Sequence, residues 1–97
     1  MDIIKWLENW FTKNCDGDWE HGYGIRINTL DNPGWSVSIN LQGTELEDKN
    51  FKPVEIDRND LDWIYCRVED RTFRGAGGTM NLEELLMVFR QWALSEN

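Results

Sequence analysis

Cysteine, histidine and positive charge are all scarce in this 97-residue chain: two Cys, one His, and ten Lys and Arg against 18 Asp and Glu. Cys15 and Cys66 cannot supply a disulfide framework or a four-ligand metal site, and a reducing cytoplasm is the compartment they fit most simply. The lone His21 has no serine or cysteine signature beside it, so nucleophilic and acid–base catalysis lack their usual parts; neither an enzyme nor a cofactor is expected. A net charge of −8 is the wrong sign for clustered phosphate contacts and argues against nucleic acid as a partner. No apolar run nears membrane-spanning length and no signal segment opens the chain, so no membrane contact is expected.

What the chain does have is tryptophan and acid. The length suits one domain spanning residues 1–97, able to bury roughly two-thirds of its unfolded surface. Six tryptophans exceed the needs of so small a core, at about 150–250 Å² each, so at least one is expected on a rim or binding face. The acid surplus favours solubility and a cationic partner. It is concentrated between Glu45 and Asp70, where nine acids meet four bases, as a solvated edge or as a footprint for a basic protein surface.

Hydrophobic periodicity predicts helices at both ends. Ile3, Trp6, Leu7, Trp10 and Phe11 make a stripe over residues 3–13, and Leu82, Leu85, Leu86, Phe89, Trp92 and Ala93 make another over 82–94. Asn81 and Glu84 have the spacing of a capping box for the second. Between them, Tyr23, Ile25 and Ile27 alternate with polar residues, as do Trp35, Val37, Ile39 and Leu41, which reads as a hairpin. Pro33 and Gly34 in its connector fit the two central positions of a type II turn. Phe51–Ile56 reads as a short edge strand limited by Pro53. Leu61–Glu69 is a firmer strand with apolar bulk on both faces, hence expected to be central and covered on both sides. Thr72–Arg74 returns as a short last strand, and Gly75–Gly78 form a tight turn into the last helix. The class expected is α+β, an antiparallel sheet of four to five strands packed with an N-terminal and a C-terminal helix.

The stretch Asn14–His21 concentrates chemistry at a junction. Asp16, Asp18, Glu20 and His21 do not follow a calcium-loop pattern, since position six is His21 rather than Gly and position twelve is Ile27 rather than Glu. Zinc would need further His or Cys. The plain reading is a turn whose aspartates bond local amides; the functional one is a partner-facing acidic loop with Trp19 as aromatic anchor. His21 reads as a hydrogen-bonded structural residue. Cys66 sits on an apolar strand face as an inert core thiol, while the acids around Cys15 raise its pKa. Gly75-Ala76-Gly77-Gly78 lacks the spacing and the lysine of a phosphate loop.

Taken in order, several segments resemble the immunity protein 53 family of bacterial polymorphic-toxin systems. They are the Trp6-Leu7 to Trp10 helix, Cys15–His21, Leu30-Asp31-Asn32-Pro33-Gly34-Trp35, Asp62-Trp63 with Cys66, Gly75–Gly78, and Asn81–Leu86, together spanning nearly the whole chain. Thr79 stands where the family often has proline, which touches only the approach to the last helix. The resemblance implies a small α+β protein that binds and blocks a cognate toxin, one that the acid surplus suggests is basic. Asp16, Asp18, Trp19 and Glu20 would then offer carboxylates and one anchor to a basic cleft. Asp31 and Trp35 would add a second contact if the two loops share an end of the sheet. A small-molecule or metal-binding α+β domain using the same loop or the glycine run is the alternative. Oligomeric state is left open.

Overall fold

The computed structural model describes residues 2–22 and 24–96. Eight elements follow one another: α1 (Ile3–Asn14), α2 (Trp19–Gly22), β1 (Ile25–Leu30), β2 (Gly34–Asn40), β3 (Val54–Asn59), β4 (Asp62–Glu69), β5 (Thr72–Gly77) and α3 (Leu82–Leu94). The strands form one antiparallel sheet in the order β1-β2-β5-β4-β3. Both long helices form where their apolar stripes fall. Asp2 caps α1 through a side-chain bond from the Ile4 amide, satisfying one of the free first-turn donors. Tyr23, expected in the hairpin, lies outside the described residues.

Strand alternation sorts the sheet into two faces. Val37 and Ile39 of β2, Phe73 of β5, and Ile64 and Cys66 of β4 are buried toward the helices. There they meet Ile3, Leu7 and Trp10 of α1 and Leu85, Leu86, Phe89 and Trp92 of α3. Phe89 stands edge-on to Trp10 (5.0 Å) and to Phe73 (5.1 Å), the geometry aromatic quadrupoles favour. Leu41 and Leu46 close this core from the long β2–β3 connection.

The glycine run does a different job from the one expected. Gly75 and Gly77 belong to β5, the middle strand of five, and only Gly78 lies in the connection to α3. A Cβ on Gly75 would stand 3.2 Å from Leu85 Cδ2, and one on Gly77 3.0 Å from the Trp63 carbonyl oxygen. The glycines are therefore the flat track on which α3 crosses the sheet. The Gly78 amide is taken as well, donating to Trp63 O at 3.0 Å.

Other local expectations change for physical reasons. The type II turn is absent, since Gly34 is not among the positive-φ glycines that its third position needs. Gly34 opens β2, where a Cβ would collide with the Gly77 carbonyl oxygen. The edge strand begins at Val54, just past Pro53, and pairs with β4 alone. Asn81 makes no side-chain cap bond; its amide instead donates to Asp62 Oδ1 (2.9 Å) and Glu84 Oε1 (3.0 Å). Arg58 completes this cluster, reaching Asp62 at 2.8 Å and Glu84 at 2.7 Å. The two carboxylates thus take the Asn81 N–H groups, while its Oδ1, the atom that would accept in a helix cap, has no hydrogen-bond partner among the described residues. Among the described residues, helices cover strand β4 on one face only. Ile64 and Cys66 point to the helices, while Trp63, Tyr65 and Arg67 line the opposite face, half-buried, where no long helix packs.

Candidate functional site

Local backbone bonding shapes the acidic stretch into a preformed loop. Gly17 at φ +98° lets the chain leave α1 and double back. Asp16 Oδ1 then accepts from the amides of Asp18 (2.9 Å) and Trp19 (3.0 Å), holding the start of α2. Glu20 closes the loop in the other direction, its two carboxylate oxygens accepting from Asp16 N (3.0 Å) and Gly17 N (2.8 Å). The Trp19 and Asp18 amides hold the Asp16 carboxyl below its ordinary range, and Glu20's own amide, followed by those of Asp16 and Gly17, does the same for the Glu20 carboxyl, because hydrogen bonds to the charged form favour it. Both carboxylates are thus tied to the loop they shape, with Asp16 exposed and Glu20 half-buried.

Trp19 differs from the expected outward anchor. It is 4% exposed, edge-on to Trp10 at 5.7 Å and tilted against Phe11 at 5.6 Å. Its indole N–H donates to Asn40 O at 3.2 Å. The reason is the reversal at Gly17, which folds α2 back over the end of α1 and turns the indole inward. Trp19 therefore pins the acidic loop to the end of β2. Asp18 is exposed, and its side chain makes no hydrogen bond among the described residues. His21 is exposed too, its ring unbonded among them, so the structural hydrogen bond expected of it is not made there.

Asp31 and Trp35 lie elsewhere. Ile25 pairs with Ile39 at one end of the hairpin and Leu30 with Gly34 at the other, so the Asp31 turn is about 17 Å away along five strand steps. Asp31 is exposed at that far end, and Trp35 faces the helix side with its N–H donated to Thr79 O at 2.9 Å. The six predicted residues thus divide between two ends of the sheet.

The cysteines follow their surroundings. Burial pushes the Cys66 thiol up to about 12. Cys15, exposed at the end of α1, is also raised, by partial desolvation first and then by the Glu20 and Asp16 charges. Among the described residues, no group of three or more His, Cys, Asp and Glu is placed to hold a metal, and no helix is long and apolar enough to cross a membrane.

The structure is thus a five-stranded sheet backed by helices on one face, with a charged, internally hydrogen-bonded loop at one end. The immunity protein 53 family model matches residues 4–94, and the chain belongs to that family of immunity proteins. No curated protein and no solved structure matches it.

Proposed function

We propose that the chain protects a producing cell by binding and blocking a cognate polymorphic toxin, without catalysis. The observation that carries this reading is the family match across residues 4–94. The net charge of −8 adds that the toxin is basic, since a charge of opposite sign speeds encounter and fixes register. On this reading the Asp16–Glu20 loop is one contact. Asp18 offers the unbound carboxylate, Asp16 and Glu20 add potential while holding the loop, and Trp19 supports it from below. Asp31 is a second acidic contact at the other end of the hairpin, backed by Trp35.

The test uses the product of the adjacent gene, co-expressed with the chain and with its Asp18→Lys variant. The wild type is expected to rescue growth and to form a complex on a sizing column. Asp18→Lys is expected to weaken that complex at least tenfold with its melting temperature unchanged. Full affinity in the variant would remove the loop from the interface, and failure of the wild type to bind would overturn the immunity reading itself.

A further inference from the structure

The face of the sheet away from the helices gathers arginines on the side running from β1 to β4, while its acids Glu55 and Asp57 stand apart on the β3 edge, across from Tyr65 and Trp63. Strand register sets Arg26 opposite Ser38, Ser38 opposite Arg74, and Arg74 opposite Arg67. Three arginines therefore stand in one row across β1, β2, β5 and β4, in a protein with only ten basic residues. Like charges placed directly opposite in a sheet repel, and their neutralisation is incomplete. Glu69 reaches Arg67 Nη2 at 3.3 Å and Arg74 Nε at 3.8 Å. Arg67 also lies over the Tyr65 ring, 5.3 Å from its centroid. Arg26 pairs with no carboxylate among the described residues, and the buried Arg74 Nε has no hydrogen-bond acceptor there.

Between Arg26 and Arg74 the small side chain of Ser38 leaves a depression of about 240 Å³, walled also by Gly22, Gly24, Asn40 and Thr72. This is below the roughly 300–1,000 Å³ of a small-molecule site. It has room for a carboxylate on a segment lying across the sheet, with Arg26 and Arg74 lining two sides, the residue type whose forked donors fit carboxylates. Gly22 is also the last residue of α2, so the depression adjoins the acidic loop.

Resting on the immunity reading, we propose that this depression receives an Asp or Glu side chain of the protein partner, held between Arg26 and Arg74. A single carboxylate suits a chain of net charge −8 better than a phosphate dianion does. The site also gives the interface alternating sign: the acidic loop meets a base on the partner, and the arginine pocket beside it meets an acid. Such alternation selects one docking register and disfavours partners that are merely basic. A second copy of this chain is disfavoured by mutual repulsion.

The test needs no toxin at its first stage. Isotope-labelled protein is titrated with the blocked peptide acetyl-Gly-Glu-Gly-amide, with the matching Gln peptide, and with inorganic phosphate. The Glu peptide is expected to move the amides of Gly24, Arg26, Ser38 and Arg74 saturably, and the Gln peptide to leave them in place. Arg26→Glu is expected to abolish the response. Lys5→Glu, the same charge change on the helix side, is expected to keep it. Ser38→Glu, which tethers a carboxylate beside the same arginines, is expected to block the peptide while folding normally. At the second stage, Arg26→Glu and Ser38→Glu are expected to weaken the adjacent-gene toxin at least tenfold, and Lys5→Glu less than threefold. A response to phosphate but not to the Glu peptide, diffuse shifts, or full toxin affinity in Ser38→Glu would each overturn the proposal. A wild type that binds the Glu peptide but no toxin would instead overturn the immunity reading and the carboxylate's assignment to that partner.

Discussion

Replacing Trp19 by alanine separates a loop held by its tryptophan from a loop that displays it. The indole is almost wholly buried, packs edge-on to Trp10 and donates to Asn40 O. Truncating a buried tryptophan to alanine costs about 3–5 kcal/mol in transfer and cavity energy. Phe11, which covers one side, is itself partly exposed, so water and side-chain movement can fill part of the hole. The lower end, about 3 kcal/mol, is therefore expected. For a domain this size, stability totals about 5–15 kcal/mol, and each kcal/mol moves the melting temperature by about 4–8 °C. The expected fall is thus about 12–24 °C. Trp19→Phe keeps a ring but loses the N–H bond, and should cost about 1–2 kcal/mol. Circular dichroism melts and urea titrations of both variants measure this. A fall below about 3 °C in Trp19→Ala, joined to a loss of toxin binding, would instead make the indole an interface anchor and not a core residue.

Three further outcomes follow from particular contacts. Gly77→Ala should destabilise by about 1–3 kcal/mol in urea titration, because its Cβ would press on the Trp63 carbonyl and the Asn81 side chain. Hydrogen bonds hold the Asp62 and Glu84 carboxyls below their ordinary range, Asn81 foremost for Asp62 and Arg58 foremost for Glu84. Depressed folded-state pKa values mean stability that is full above the ordinary carboxylate range and lost as pH falls through the folded values. Arg58→Met should therefore lower the melting temperature at pH 7 and fall less steeply than wild type between pH 5 and 3, as melts across about that range would record. With a thiol reagent at neutral pH, Cys15 should label in the folded protein and Cys66 only after unfolding, since one is exposed and the other buried with its thiol pushed up to about 12; mass spectrometry of the labelled peptides reads the difference.

The elements that could be read from the chain are those whose cause is local. The stripes of α1 and α3 and the alternation of Trp35–Ile39 each record a single boundary between oil and water, and each lies where its period places it; the Ile25–Ile27 alternation places the strand β1, but on this sheet edge Ile27 is exposed. Elements decided at a distance were read less well. Trp63 and Tyr65 on β4 look like a second buried face, because half-exposed aromatics have the same letters as core ones. Nothing local marks β5 as the middle strand or shows that Gly75 and Gly77 are small to let α3 cross. Asn81 and Glu84 have capping-box spacing, but Arg58 and Asp62, brought up by the β3–β4 turn, claim their side chains. The same holds at the candidate site. The bonding of Asp16 within its turn was legible from its position, whereas the burial of Trp19 depends on Trp10, Phe11 and Asn40 meeting in space. The arginine row emerges only once register aligns Arg26, Arg74 and Arg67.

Blocking by occupancy is tested by titrating a fixed amount of the adjacent-gene toxin with the purified chain and following residual toxic activity. Occlusion predicts a linear fall to an end point at a fixed molar ratio, unchanged by longer incubation. Silencing by a small fraction of that ratio, deepening with time, would show turnover and rule out blocking by occupancy.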